Sequence, residues 1–515
     1  MSPQVRAALD LLPEYLAWHV LLSAAALGLG VAISLPLASA AARRPAVRWP
    51  VLGGAGVIQT VPSLALLALF FPLLLALSAI SQQAIGRGFS ALGFLPALLA
   101  LTLYSMLPVV RNTITGLAGL DPAVIEAADG VGMTSAQKLR LVELPLAAPV
   151  IMAGVRTAAV WTIGAATLST PVGQTSLGNY IFAGLQTENW VFVLFGCAAS
   201  AALALSVDQL LGLIERGAAR RSRAMAATGA AGLAAGVLLA VLPLASFGAP
   251  AAYVIGAKNF SEQYILAELI AGRLERGGAE VRRKEDLGSA IAYRALASGE
   301  IDAYVDYSGT LWANVLGRTD NPGREAVLAE LTRELEARDG VVVLGSLGFE
   351  NAYALAMREE RARALGIASI ADLAAHAPQL VMGADLEFFS RPEWKAVESA
   401  YGLRFRSQRT FQPTFMYRAL ARDADVISAF SSDGRIAADR LVVLTDPKGA
   451  LPPYDAVILV SPQRAGDARL LAALRPLIGA IPVEAMRQAN YSVDRDEAKA
   501  TPAQAAAALS AKLGL

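Results

Sequence analysis

The chain is poor in the residues that carry most enzyme chemistry. Its 515 residues include one cysteine, Cys197, and two histidines, His19 and His376. One cysteine forms no intramolecular disulfide, so it does not identify a redox compartment. Cys197 lies in an apolar run, where a thiol acts as a small hydrophobe. The histidines are far apart and build no zinc-type ligand set with Cys197. No G-x-x-x-x-G-K-[ST] occurs, so the chain supplies no ATP-binding phosphate loop. No G-x-S-x-G elbow or plausible catalytic triad occurs either. These absences argue against a membrane enzyme, and no cofactor or metal is expected. Charge is also scarce: Asp, Glu, Lys and Arg make up 17% of residues, with a formal net charge of +1. Nothing in that balance suggests a nucleic-acid partner. No cleavable leader is expected, because Met1–Tyr15 lacks a basic start running into an apolar stretch and a small-residue cleavage site.

Apolar residues are abundant, at 55%, and unevenly spread. Up to about residue 247 the chain is mostly Ala, Leu, Val, Gly and Ile, and charge concentrates after 250. This reads as a membrane half followed by a soluble half. Six stretches are long and apolar enough to span: about 16–42, 51–77, 93–110, 148–168, 190–214 and 226–247. Arg43, Arg44 and Arg48 follow the first, Arg111 follows the third, and Arg216, Arg220, Arg221 and Arg223 follow the fifth. The stretch 170–189 has no Lys or Arg. Basic residues mark the cytoplasmic side, so the N-terminus is expected outside and everything after Gly248 extracytoplasmic. Gln59–Ser63 and Tyr104–Pro108 put polar groups and prolines inside spans, where freed carbonyls need partners.

The main polar interruption is Asp121–Pro145. Asp121 and Pro122 read as N-cap and first turn of a helix. Gly130 and Gly132 punctuate it. Thr134 and Gln137 form a capping box for a second helix, which Pro145 is expected to end. The order Glu126-Ala127-Ala128, Gly132, Val142 and Leu144-Pro145 resembles the EAA loop of ABC importer permeases. That loop docks on a separate ATPase, and the charge map puts it in the cytoplasm.

Tyr253–Leu515 alternates short β-rich runs with amphipathic helices, which implies an α/β fold with largely parallel sheets in two lobes. The run Ala295–Asp302 into Tyr304–Gly309 echoes Ala419–Val426 into Ala429–Gly434. Each places an aromatic and then small polar residues at a strand end. Tyr353 and Tyr454 open two further strands, which are expected to cross between lobes. Rings at strand ends of two lobes would face one cleft.

The segments Ile255–Leu266, Asp302–Thr310, Asn351–Leu355 and Ser431–Ile436 resemble substrate-binding proteins of osmoprotectant ABC importers. That family takes up glycine betaine, choline, carnitine and related quaternary amines; close relatives take ergothioneine. Gln59–Ser63 and Leu107–Thr113 resemble the permeases of the same systems. The resemblance implies an α-helical transmembrane permease (1–225), a sixth helix or tether (226–250) and a type II, two-lobed periplasmic-binding-protein-like α/β domain (251–515). Lobe 1 would hold about 251–352 and 456–515, and lobe 2 about 353–455. It implies an aromatic cage of Tyr307, Tyr353, Phe430 and Tyr454, with Phe430 standing where tyrosine is expected. Aromatic faces suit a cation that donates no hydrogen bonds. Polar contacts are expected from Gln263, Ser289, Thr310 and Asn259, with Asn259 capping a helix through Glu262. Asp433 is expected to fix a turn. The implied assembly is a homodimer of this chain with two copies of a separate ABC ATPase, in the lipid bilayer of a bacterial inner membrane. A membrane-anchored sensor is the alternative, which the intact coupling loop opposes.

Overall fold

The computed structural model describes residues 3–86, 89–187, 189–246, 253–318, 320–411, 413–495 and 497–515. Contacts divide the chain into two compact units, Met1–Gly184 with Trp190–Pro250, and Leu185–Asn189 with Ala251–Leu515. Residues 247–252, where the tether meets the soluble half, lie outside the described residues.

The first unit is helical: α1 (Pro3–Arg43), α2 (Pro45–Thr60), α3 (Ser63–Ile85), α4 (Phe94–Ala118), α5 (Pro122–Gly130), α6 (Ser135–Lys138), α7 (Leu144–Ala166), α8 (Gly178–Gln186), α9 (Trp190–Ala219) and α10 (Arg223–Ser246). Six helical segments among the described residues are long and apolar enough to cross a membrane. The expected continuous span 51–77 is instead two helices. Pro62 has no N–H and holds Val61 extended, at φ −72° and ψ 128°. The carbonyl of Val61, which this break frees, accepts the Tyr104 hydroxyl. The two irregular stretches legible in the sequence therefore satisfy each other.

The uncharged stretch 167–180 is largely buried. A 3₁₀ turn (Thr167–Val172) leads into α8. Ser176 N–H donates to Asn179 Oδ1 at 2.8 Å. His19 of α1 joins it: Nε2 lies 3.1 Å from Ile163 O, and Leu177 N–H donates to Nδ1 at 3.3 Å. A Cβ on Gly178 would come within 1.9 Å of Thr167 O, so only glycine fits there. Between α7 and α9, Arg156 makes a bidentate pair with Asp208 (2.9 and 2.8 Å) and reaches Glu215 at 2.6 Å. Such charges inside spanning helices persist only when paired.

The second unit holds two five-stranded sheets. The strands are β1 (Tyr253–Lys258), β2 (Val281–Leu287), β3 (Ala303–Tyr307), β4 (Val342–Glu350), β5 (Tyr353–Arg358), β6 (Val381–Ala384), β7 (Ser407–Thr410), β8 (Val426–Phe430), β9 (Leu441–Val443) and β10 (Asp455–Val460). Their orders are β2-β1-β3-β10-β4 and β7-β6-β8-β5-β9. β10 runs antiparallel to β3 and β4, and β5 antiparallel to β8 and β9. The other strands in each sheet run one way, so the sheets are largely parallel with one reversed strand each. The reversed strands are the two that enter a sheet from the other lobe. β7 had no sequence signal: all four of its residues are exposed at a sheet edge.

Candidate functional site

The reversed strands assemble the aromatic cluster. In an antiparallel pair, the end of one strand meets the start of its neighbour. Phe430 ends β8 and pairs with Tyr353, which starts β5. Tyr307 ends β3 and pairs with Ala456, two residues after Tyr454. The Tyr353 ring lies 5.0 Å from Phe430 at 42°, and 5.8 Å from Tyr454 at 87°. Tyr307 stacks on Phe260 at 6.1 Å and 28°. Gly309 follows from this packing, because a Cβ there would come within 2.6 Å of the Tyr454 ring.

All four rings line a cavity of about 860 Å³. Asn259, Ser289 and Thr310 line it too. Gln263 is buried behind Tyr307, donating from Nε2 to its hydroxyl at 3.0 Å and accepting from Lys258 N–H at 3.3 Å. The expected Asn259–Glu262 capping box does not form. The helix Ser261–Arg276 has Phe260 at its N-cap position and no side-chain cap. Glu262 instead turns inward, where three donors compete better than one backbone amide. Tyr307 Oη donates to it at 2.6 Å, Asn351 Nδ2 at 3.2 Å and Asn490 Nδ2 at 2.8 Å. Burial pushes this carboxyl up, against those hydrogen bonds and one with Ser432.

Three cations lining the cavity were not singled out from sequence. Arg391 lies 5.1 Å over the Tyr353 ring, donates to Tyr454 Oη at 3.2 Å and pairs with Glu393 at 2.9 Å. Lys258 Nζ lies 4.7 Å over the Tyr307 ring and 2.6 Å from Asp306. Arg435 pairs with Asp433 at 2.7 Å. Asp433 fixes its turn as expected, accepting Arg435 N–H at 2.9 Å, and it also lines the cavity. Burial pushes Asp433 up, but Arg435 brings it below the usual carboxylate range. Lys258 ends a strand within a segment already marked, so position could have flagged it. Arg391 precedes a proline in an unmarked helix start and had no comparable signal.

Asp494 closes the cavity wall at the last residue of the helix Val483–Asp494. Burial, and the neighbouring Asp433, raise its carboxyl to about 7, against Arg435, Ser261 and Lys499. A native group raised this far holds its proton where the unfolded chain has lost it. Its contribution is full below pH ~4 and is lost as pH rises through ~7. Asp494→Asn is therefore expected to be more stable than the parent above pH 7, by about 1–3 kcal/mol, with the difference vanishing near pH 4. Thermal unfolding of the full chain across that range checks this.

In the helical unit, Asp121 caps α5 by accepting Ala123 N–H at 2.9 Å. Thr134 and Gln137 form the expected capping box. Pro145 does not end the second helix. A π turn, Leu139–Glu143, joins α6 to α7, and Pro145 sits in the first turn of α7. The shifted hydrogen-bond register tolerates its missing N–H. Asp129 and Lys138 tie the two arms at 2.7 Å, and Arg43 holds Glu143 at 2.6 Å. Glu126, Ala127, Gly132 and Pro145 are exposed, whereas Ala128 packs inward. Val131 and Leu141 are 73% and 65% exposed. The loop is thus two-armed and pinned by ion pairs, and it leaves apolar side chains bare.

A helical unit with such a loop, on one chain with a two-lobed binding unit, defines an ABC importer subunit carrying its own receptor. Residues 251–512 match the family described as the substrate binding domain of ABC-type glycine betaine transport system. Residues 30–220 match the binding-protein-dependent transport system inner membrane component. The chain belongs to the osmoprotectant-type ABC importers in which permease and binding domain are fused. It is 30% identical over 455 residues (85% of this chain, 79% of the relative) to the Helicobacter pylori ergothioneine transport permease/ergothioneine binding protein EgtU. Its permease half is 41% identical over 198 residues (38% of this chain, 84% of the relative) to the Bacillus subtilis choline transport system permease protein OpuBB. A solved glycine betaine/carnitine/choline ABC transporter structure is 27% identical, covering 50% of this chain and 98% of its own, with a TM-score of 0.48. The chain is thus a membrane protein that works with a separate ATPase on a small-molecule substrate.

Proposed function

We propose that this chain captures a glycine betaine-type quaternary ammonium osmoprotectant on the extracytoplasmic side of the membrane and passes it inward. It sits in a bacterial inner membrane with its N-terminus and residues 251–515 outside. It works as a homodimer with two ATPase copies. Tyr307, Tyr353, Phe430 and Tyr454 hold the trimethylammonium head, at roughly 0.5–2 kcal/mol per ring. Arg391 and Lys258 draw a carboxylate, and Asn259, Ser289 and Thr310 supply further polar contacts. The observation that carries this reading is the Tyr353–Phe430–Tyr454 cluster in a cavity that also presents Arg391. Ligand closes the lobes, and ATP binding acts through Glu126, Ala127, Ala128, Gly132 and Pro145.

A second reading is a larger trimethylated betaine such as ergothioneine. The relative from Helicobacter pylori and the cavity of about 860 Å³ favour it. Calorimetry of the full chain in nanodiscs against glycine betaine, choline, carnitine, proline betaine and ergothioneine ranks the candidates. Failure to bind any of them would overturn the cage.

A further inference from the structure

Two of the four cavity rings share an arrangement that ordinary packing does not require. The Tyr307 hydroxyl accepts from Gln263 Nε2 at 3.0 Å and donates to the Glu262 carboxylate at 2.6 Å. The Tyr454 hydroxyl accepts from Arg391 at 3.2 Å and donates to the Glu393 carboxylate. Each phenol therefore has one donor filling its lone pair and one buried carboxylate taking its proton. The residues Glu262 and Glu393 are 3% and 4% exposed, and come from opposite lobes. Guanidinium has only donors, and a carboxylate only acceptors, so the direction of the Tyr454 proton is forced.

We propose that Glu262 and Glu393 are positioning residues for cation recognition, acting through the phenols of Tyr307 and Tyr454. A phenol whose proton leans on a carboxylate is polarised toward phenolate. Electron density shifts into the ring, and its face attracts a cation more strongly. The same bonds set the ring planes. Glu262 also holds Asn490, whose Nδ2 donates to Ser432 O at 2.9 Å, so the Tyr307 ring is tied to a loop of the second lobe. Glu393 is held below the usual carboxylate range by Arg391 and Tyr454, despite burial. It stays an acceptor at neutral pH.

This inference rests on the cavity taking a trimethylammonium ligand, and the test separates the two. Glycine betaine is compared with 3,3-dimethylbutanoate, which keeps the carboxylate and shape but replaces the charged nitrogen with carbon. The full chain in nanodiscs is titrated with both. A purely structural defect lowers both affinities together. Loss of ring polarisation lowers only the preference for the charged head. Glu262→Gln and Tyr307→Phe are each expected to cut that preference about fivefold or more. The double variant is expected to lose no more than the worse single one. Glu393→Gln and Tyr454→Phe should behave as a second such pair. The phenylalanine variants keep the ring and lose only the hydroxyl, so they decide the matter if a glutamine variant fails to fold. An unchanged preference in Tyr307→Phe and Tyr454→Phe overturns the inference alone. A parent protein that shows no preference for the charged head overturns the proposed cage and this inference with it.

Discussion

Glu126→Lys is expected to bring ATP-driven uptake to background while ligand affinity at the outer domain stays unchanged. Glu126 is exposed on α5, in the same loop as the exposed apolar Val131 and the Asp129–Lys138 pair. Reversing its charge does not disturb the Asp121 cap or the Thr134 box, so the loop keeps its shape. What changes is the surface offered to the ATPase. A charge reversed at a docking contact costs several kcal/mol where it meets like charge, and about 1.4 kcal/mol is already tenfold. Uptake of radiolabelled glycine betaine into vesicles with the ATPase present, beside calorimetry on the same preparation, reads both quantities. Uptake equal to that of the parent would sink the coupling assignment.

Tyr353→Leu is the second large effect. Tyr353 packs against Phe388, Phe430 and Tyr454 and carries Arg391 over its face. Leucine keeps the contact apolar and removes the π face. The affinity for the preferred quaternary amine is expected to fall about 10- to 100-fold, since a desolvated cation–π contact is worth roughly 2 kcal/mol or more and rigid ring geometry adds to it. Stability is expected to fall as well, because leucine has half the side-chain heavy atoms and leaves a void among Phe388, Phe430 and Tyr454. Calorimetry and thermal unfolding of the full chain separate the two. A loss of affinity below about threefold, under 1 kcal/mol, would show that Tyr353 is packing and not cage.

Much of this was legible in the residues because it depends on local order. Asp121-Pro122 and Thr134-x-x-Gln137 cap helices wherever they occur. The strand-end aromatics of the two echoing segments stand out because β3 and β8 take equivalent places in their sheets. Asn259 shows the limit: its spacing to Glu262 matches a cap, but Tyr307, Asn351 and Asn490 claim the carboxylate first. Gln263 lay in the right segment and on the hidden side of the ring.

The sequence alone determined that an apolar helical half precedes an α/β half, and it marked the caps within Asp121–Pro145 and the four strand-end aromatics. Run length, charge order, caps and strand ends are properties of neighbours along the chain. Tertiary structure decided the break at Pro62, the π turn before Pro145, the cations above the rings and the carboxylates behind them. Arg391 reaches Tyr454 across 63 residues, and Asn490 reaches Glu262 across 228. Partners that distant in the chain meet only after the lobes have folded, and no spacing rule along the sequence encodes their meeting.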